Sequence, residues 1–176
     1  MNFKVMGIDP GSHHLGIACL ALEGDVLNCN LATSISAPKA MTLYERISYL
    51  TESFFPLMQQ ENPSEVAIED IFFAKNMRSA FTLGMTRGAL LSRCFEKKIP
   101  VFEYPPASVK LAVTGYGQAS KDQIKHMLQS IFRRQFDVAL DATDALAIAF
   151  CHLQSTRHTH FSIAETRSIG NKGRDQ

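Results

Sequence analysis

The hydrophobic pattern opens with a mostly apolar stretch, residues 3–8, that ends in Asp9 and is stopped by Pro10-Gly11. Such a run with a turn signal behind it predicts a central strand covered on both faces. Residues 14–22 predict a second strand, Glu23-Gly24-Asp25 a tight reversal, and residues 26–35 a third. Connections this short imply an antiparallel meander. Thr42 with Glu45 three positions on is a capping-box pattern, opening a helix with Leu43, Ile47, Leu50, Phe54 and Leu57 on one face. Pro56 lies inside that helix and is expected to kink it or end it early. After Asn62-Pro63, residues 65–69 form a short apolar strand that also ends in a carboxylate, Glu69.

The second half alternates. Residues 76–98 have helical periodicity, with Ala80, Leu83, Gly84, Arg87, Gly88, Leu91 and Cys94 near one side. Residues 101–104 predict a fifth strand closed off by Pro105-Pro106, and residues 108–113 a short helix. A polar, glycine-rich loop leads to Ser120, which caps a helix running to Phe132. Residues 140–153 form the last strong helix. Three antiparallel strands followed by strand–helix alternation predict an α/β fold, a mixed five-stranded sheet flanked by helices. One domain over residues 1–154 is expected, with residues 155–176 a mobile tail of little periodicity. Its Arg157, Arg167, Lys172 and Arg174 match no motif.

Composition narrows the setting. The 176 residues suit one well-filled core. The sequence holds no apolar run of about 18 residues and its start lacks a signal peptide's charged stretch and cleavage site, so a cytoplasmic chain with no membrane span is expected. Cys19, Cys29, Cys94 and Cys151 are scattered, which favours reduced thiols over a disulfide or zinc framework. The net charge of +1 hides an uneven distribution. Residues 1–69 carry three Lys/Arg and eight Asp/Glu, whereas residues 70–134 carry eleven and four. A basic middle beside a few placed acids suits a polyanion-binding enzyme; the alternative is a set of solvated, lysine-rich helix faces.

The acids carry the chemistry. Asp9 and Glu69 each end an apolar strand, and Asp141 and Asp144 lie three apart, on one helix face, among small alanines. Close packing of several carboxylates is costly unless cations hold them, and an all-oxygen set favours Mg²⁺ or Mn²⁺ over zinc. Two such ions suit phosphodiester hydrolysis. The alternatives are plain ones: Asp9 bonding its own turn, and Asp141 and Asp144 favoured by a helix N-terminus.

Five segments then stand in order: Gly7-Ile-Asp-Pro-Gly-Ser12, Ile68-Glu-Asp-Ile-Phe-Phe-Ala-Lys-Asn76, Pro100-Val-Phe-Glu-Tyr104, Gly115-Tyr-Gly-Gln-Ala-Ser-Lys121 and Asp141-Ala-Thr-Asp-Ala-Leu-Ala147. Together they resemble the bacterial RuvC family of Holliday-junction resolvases, over residues 5 to about 153. The resemblance implies an RNase H-like fold and a homodimer that makes paired, Mg²⁺-dependent nicks in four-way DNA junctions. It further implies two ions per site, with Mn²⁺ able to substitute, and partnership with a RuvA–RuvB branch-migration complex. The family's catalytic, metal-holding carboxylates fall on Asp9, Glu69, Asp141 and Asp144. Its backbone-approaching lysines fall on Lys110 and Lys121, and its junction-packing aromatic on Phe72.

Lys75, Arg78 and Lys125 join Lys110 and Lys121 as expected DNA contacts near the acids, phosphate contacts that fix position rather than sequence. Phe72-Phe73 admits a core reading as well as an exposed one. Asp70, pointing opposite to Glu69, is not expected to be a fifth ligand. His13-His14 has poor spacing for one ion, and a turn or DNA-facing role is expected. Gly84 and Gly88, with Ala80, permit a close helix contact, on the sheet or with a second subunit. Two other functions fit parts of the pattern. An actin-like ATPase or sugar kinase shares Asp9-Pro-Gly-Ser12 but needs two such domains and a second phosphate loop. A catalytically inactive junction-binding module has no use for four costly acids.

Overall fold

A computed structural model describes residues 2–24, 26–70, 77–133, 135 and 138–169. Ten elements follow in order: β1 (Asn2–Pro10), β2 (His14–Glu23), β3 (Val26–Ser36), α1 (Leu43–Glu61), β4 (Glu65–Glu69), α2 (Met77–Glu96), β5 (Val101–Tyr104), α3 (Pro106–Thr114), α4 (Lys121–Phe132) and α5 (Leu140–Ile169). The strands form one sheet in the order β3-β2-β1-β4-β5. The meander is antiparallel, and β4 and β5 add in parallel, as the apolar runs and short turns require.

The sheet separates two cores. On one face, Val5, Ala18, Leu20 and Ala67 pack against α5, with α3 and α4 outside it. On the other, Met6, Ile8, Ile17, Val66 and Ile68 pack against Leu50, Phe54 and Met58 of α1 and Leu90 and Cys94 of α2. The alternation of side chains along β1 and β4 sorts these residues. It also sends Asp9 and Glu69 to the α5 face, in phase with Val5 and Ala67.

Two glycines decide how close α5 can lie. A Cβ on Gly16 would collide with the Asp141 carbonyl, and one on Gly7 with the backbone of Ala145 and Ala149. Ala142, Ala145 and Ala149 are fully buried against the strands. The first turns of α5 therefore sit down on β1 and β2, which brings Asp141 and Asp144 to the end of the sheet where Asp9 emerges. Farther along, Tyr104 Oη lies 2.7 Å from His152 Nδ1, and His152 Nε2 lies 2.5 Å from Glu65 Oε2. That chain, centred on the buried His152, ties β5, α5 and β4 together.

Caps follow the sequence closely. Glu45 accepts from the Thr42 backbone N–H at 2.7 Å, and Ser120 N–H donates to Gln123 Oε1 at 2.8 Å. Two expectations need correction, and one alternative left open by the sequence is narrowed. Pro56 does not end α1, which continues to Glu61. The proline is on the exposed side, where water can serve the carbonyl it leaves unbonded. The last helix does not stop at Leu153: α5 continues through residues 155–169 to Ile169. They contain no proline or glycine, and the next residue in sequence is Gly170. Finally, the buried side of α2 carries Thr86, Arg87, Leu90 and Cys94. Gly84 and Gly88 face open space instead of the sheet.

Candidate active site

Asp9 at the end of β1 and Glu69 at the end of β4 are neighbours, because the β1–β4 register runs to the Ile8–Ile68 pair. Asp144, one turn into α5, faces them. These three acids line a cleft of about 180 Å³ together with Lys110 of α3 and Lys121 of α4. Pro106, Val109, Ile124, Ala147 and Ile148 supply its apolar wall. Asp141 stands beside the cleft, its Oδ2 accepting from the Ser34 hydroxyl of β3 at 3.3 Å. Lys121 Nζ reaches across to Asp144 Oδ2 at 2.5 Å.

The electrostatics are those of crowded acids. Burial first, and then the charges of Asp144, Glu69 and Asp141, push Asp9 up to about 7, against an opposing pull from Lys121. Burial and Asp144 also raise Glu69 above its usual range, opposed by Lys121 and Lys110. The hydrogen bond to Asp144 holds Lys121 above the ordinary lysine range. Asp9 and Glu69, whose charged forms are disfavoured by burial and by neighbouring carboxylates, are suited to a divalent cation, which favours the charged form. The donor chemistry therefore fits: among the described residues that line the cleft the anionic groups are carboxylates, with no sulfur or imidazole. As placed, no three His, Cys, Asp or Glu side chains among the described residues converge tightly enough to enclose an ion.

The other expected site residues distribute unevenly. Lys125 lies one turn beyond Lys121 on α4, outside the cleft lining, and Arg78 is exposed in the first turn of α2. Phe72 and Lys75 lie outside the described residues. Asp70 is absent from the cleft lining, and its backbone N–H donates to the Tyr104 carbonyl at 2.8 Å. His14 Nδ1 is 2.9 Å from Ser36 Oγ, its cross-strand partner on β3, and neither His13 nor His14 lines the cleft. All four cysteines are free thiols.

Sequence reasoning missed two residues. Ser34 steadies Asp141 from β3; a hydroxyl in a half-buried strand gives no signal of that. Arg87 was read as one member of a helix face, yet it is buried and donates through Nη1 to the Glu69 carbonyl. A charged residue inside an apolar stripe was the available sign.

The family model for the crossover junction endodeoxyribonuclease RuvC matches residues 5–152. The crossover junction endodeoxyribonuclease RuvC of Thermotoga petrophila is 37% identical over 155 residues, which span 88% of this chain and 94% of the relative. The structure of Thermus thermophilus RuvC superposes with a TM-score of 0.80 at 30% identity, covering 89% of this chain and 97% of that one. For T. thermophilus RuvC in complex with a Holliday junction substrate the TM-score is 0.82, again at 30% identity, covering 89% and 96%.

Proposed function

The chain belongs to the crossover junction endodeoxyribonuclease RuvC family, and from that premise we propose that it resolves Holliday junctions by paired nicks in four-way DNA. The observation that carries this reading is the cleft itself, where Asp9, Glu69 and Asp144 meet Lys110 and Lys121 on an RNase H-like sheet. Asp9, Glu69, Asp144 and the adjacent Asp141 would hold divalent ions, Mg²⁺ or Mn²⁺ and two per site. When bound, these would supply Lewis acidity, activating a water for attack on phosphorus and stabilising the leaving 3′ oxygen.

The protein's own groups do the rest. Asp9 must lose its proton to act as a ligand, and its raised pKa makes that step sensitive to pH near 7. Lys121 offers an ammonium to the developing phosphate charge, released from Asp144 as that carboxylate turns to its ligand role. Lys110 approaches the same phosphate from α3. Lys125, Arg78 and Lys75 would contact the neighbouring backbone phosphates, and Phe72, three residues after Glu69 in sequence, would stack on an unpaired junction base.

Two cuts on opposite strands require two sites, and a homodimer supplies them. Met77, Phe81, Gly84, Gly88, Ser92 and Phe95 fall on one side of α2; Phe81 and Phe95 are 68% and 61% exposed, and nothing lies within 4 Å of a Cβ placed on either glycine. This side supports α2 as the surface that meets a second copy. The free thiols suit a reducing compartment, so we assign the chain to the cytoplasm, with a RuvA–RuvB complex as its partner on the junction. Sedimentation of the purified chain, wild type against Gly88→Glu, tests the dimer. Cleavage of a labelled synthetic junction against a plain duplex tests the activity.

A further inference from the structure

Behind the cleft, on the opposite face of the sheet, Arg87 of α2 has only 6% of its surface exposed. Its Nη1 donates to the backbone carbonyl of Glu69. Its Nη2 lies 2.7 Å from Glu103 Oε1 of β5, a charge contact rather than an aligned hydrogen bond. Burying a guanidinium inside an apolar helix face is costly, and a leucine or methionine would fill the space without that cost. The position of the carbonyl it grips explains the choice.

The β1–β4 register ends at Ile8–Ile68, so Glu69 is one residue past the last paired position on that side. On the β5 side the next amide, Asp70 N–H, donates to the Tyr104 carbonyl at 2.8 Å. The Glu69–Asp70 peptide is thus held at its N–H by β5 and at its C=O by Arg87. Fixing that plane fixes ψ of Glu69 and with it the direction in which the carboxylate leaves the strand. A strand end without a second anchor would let the side chain swing away from its neighbours.

We propose that Arg87 is a positioning residue, a clamp on the Glu69–Asp70 peptide that sets the Glu69 carboxylate for divalent-ion binding. It cannot reach the cleft, so it acts through the backbone. The inference rests on Glu69 being an ion-holding carboxylate of the proposed nuclease.

The test is Mn²⁺ affinity, measured by calorimetry on the DNA-free chain for wild type, Arg87→Met and Arg87→Lys, each also in a Glu69→Gln background. Outer-shell partners of ion ligands typically contribute about 10–100-fold in affinity, so Arg87→Met should weaken binding by about tenfold or more, and Arg87→Lys by less. In the Glu69→Gln background neither change should weaken it further. Junction binding in chelator should remain at the wild-type level. Unchanged Mn²⁺ affinity, equal weakening in both backgrounds, or a Glu69→Gln change with no effect of its own would each overturn the clamp. Should both arginine variants fail to fold, Glu103→Gln serves, since Glu103 is exposed and its loss frees one arm of the clamp; the same non-additivity with Glu69→Gln is expected. A wild-type chain that binds Mn²⁺ through Glu69 but cuts no junction defeats the functional reading and leaves the clamp standing. A chain that cuts junctions while its Mn²⁺ affinity ignores Arg87 defeats the clamp alone.

Discussion

Lys121 Nζ lies 2.5 Å from Asp144 Oδ2, a bond between the first residue of α4 and the fifth of α5. The lysine stands at the helix N-terminus that Ser120 caps, so its Cα is fixed while its side chain sweeps the cleft. One flexible cation thus answers a set of acids held on rigid elements. The same group is placed to trade Asp144 for a DNA phosphate, and the variants below separate these two partners.

Lys121→Ala and Lys110→Ala should each weaken junction binding or slow cleavage. A lysine that contacts phosphate in the bound state should, on removal, reduce the slope of log affinity against log salt by about one unit. If Lys121 acts only on charge that develops during reaction, its removal leaves that slope intact and lowers the single-turnover rate at saturating protein. An unchanged slope and an unchanged rate for both variants would remove them from the site.

Asp9 gives a pH signature. Its carboxyl titrates near 7 when folded against 3.8 for the free side chain. Between those values the folded chain keeps a proton that the unfolded chain has lost. Its contribution to stability is therefore full below about pH 4 and is lost as the pH rises through about 7. Asp9→Asn has no charge to gain, so in chelator its melting temperature relative to wild type should climb from about pH 4 to about pH 7 and level off above that. Added Mg²⁺ should narrow the gap by stabilising wild type. Parallel melting curves across that range would contradict the crowding of acids described here.

Gly16→Ala tests the seat of α5. The added methyl would meet the Asp141 carbonyl and lift the first turn of the helix. Overpacking of this kind costs about 1–3 kcal/mol, to be read from denaturant unfolding. Cleavage should fall further than stability accounts for, because Asp141 and Asp144 ride on the displaced turn. Full activity would mean that the acids tolerate a looser seat.

Much of this arrangement was legible in the sequence, for identifiable reasons. Strand ends were marked by single acids at the close of apolar runs, Ile8-Asp9 and Ile68-Glu69, and helix starts by Thr42 and Ser120 with their partners three residues on. These are local signals. Ser34 under Asp141 and Arg87 behind Glu69 join positions 107 and 18 residues apart; no local pattern announces Ser34, and the charge inside an apolar stripe that marks Arg87 does not name its partner. The Gly84–Gly88 stripe was visible, but which way it faced depended on the rotation of α2 about its axis. Polar Thr86 and Arg87 turned inward, against the simple apolar rule. The extension of α5 to Ile169 was missed because amphipathic periodicity fades beyond Leu153, whereas a helix ends at a stop signal rather than where its pattern weakens.

Under the proposed function Phe72 would separate a junction resolvase from a general nuclease, since the acids alone would cut any strand that reached them. Stacking on an unpaired base is worth roughly 1–3 kcal/mol. Phe72→Ala should slow junction cleavage strongly and leave ion binding and dimerisation unchanged, with Phe72→Tyr retaining more. Phe72→Leu fills space without a π-face. Restored activity with Leu, together with a large fall in melting temperature for Ala, would make Phe72 a core residue instead.

The central claim is that this cleft cuts four-way junctions through its carboxylates. Its most direct test is single-turnover cleavage of an end-labelled synthetic junction and a matched duplex, with Mg²⁺ or EDTA, by wild type and by Asp9→Asn, Glu69→Gln, Asp141→Asn and Asp144→Asn. We expect paired nicks in the junction alone, none in EDTA, and near-complete loss in each variant with junction binding retained. Equal cutting of the duplex, cutting in EDTA, or normal nicking by the four variants would contradict it.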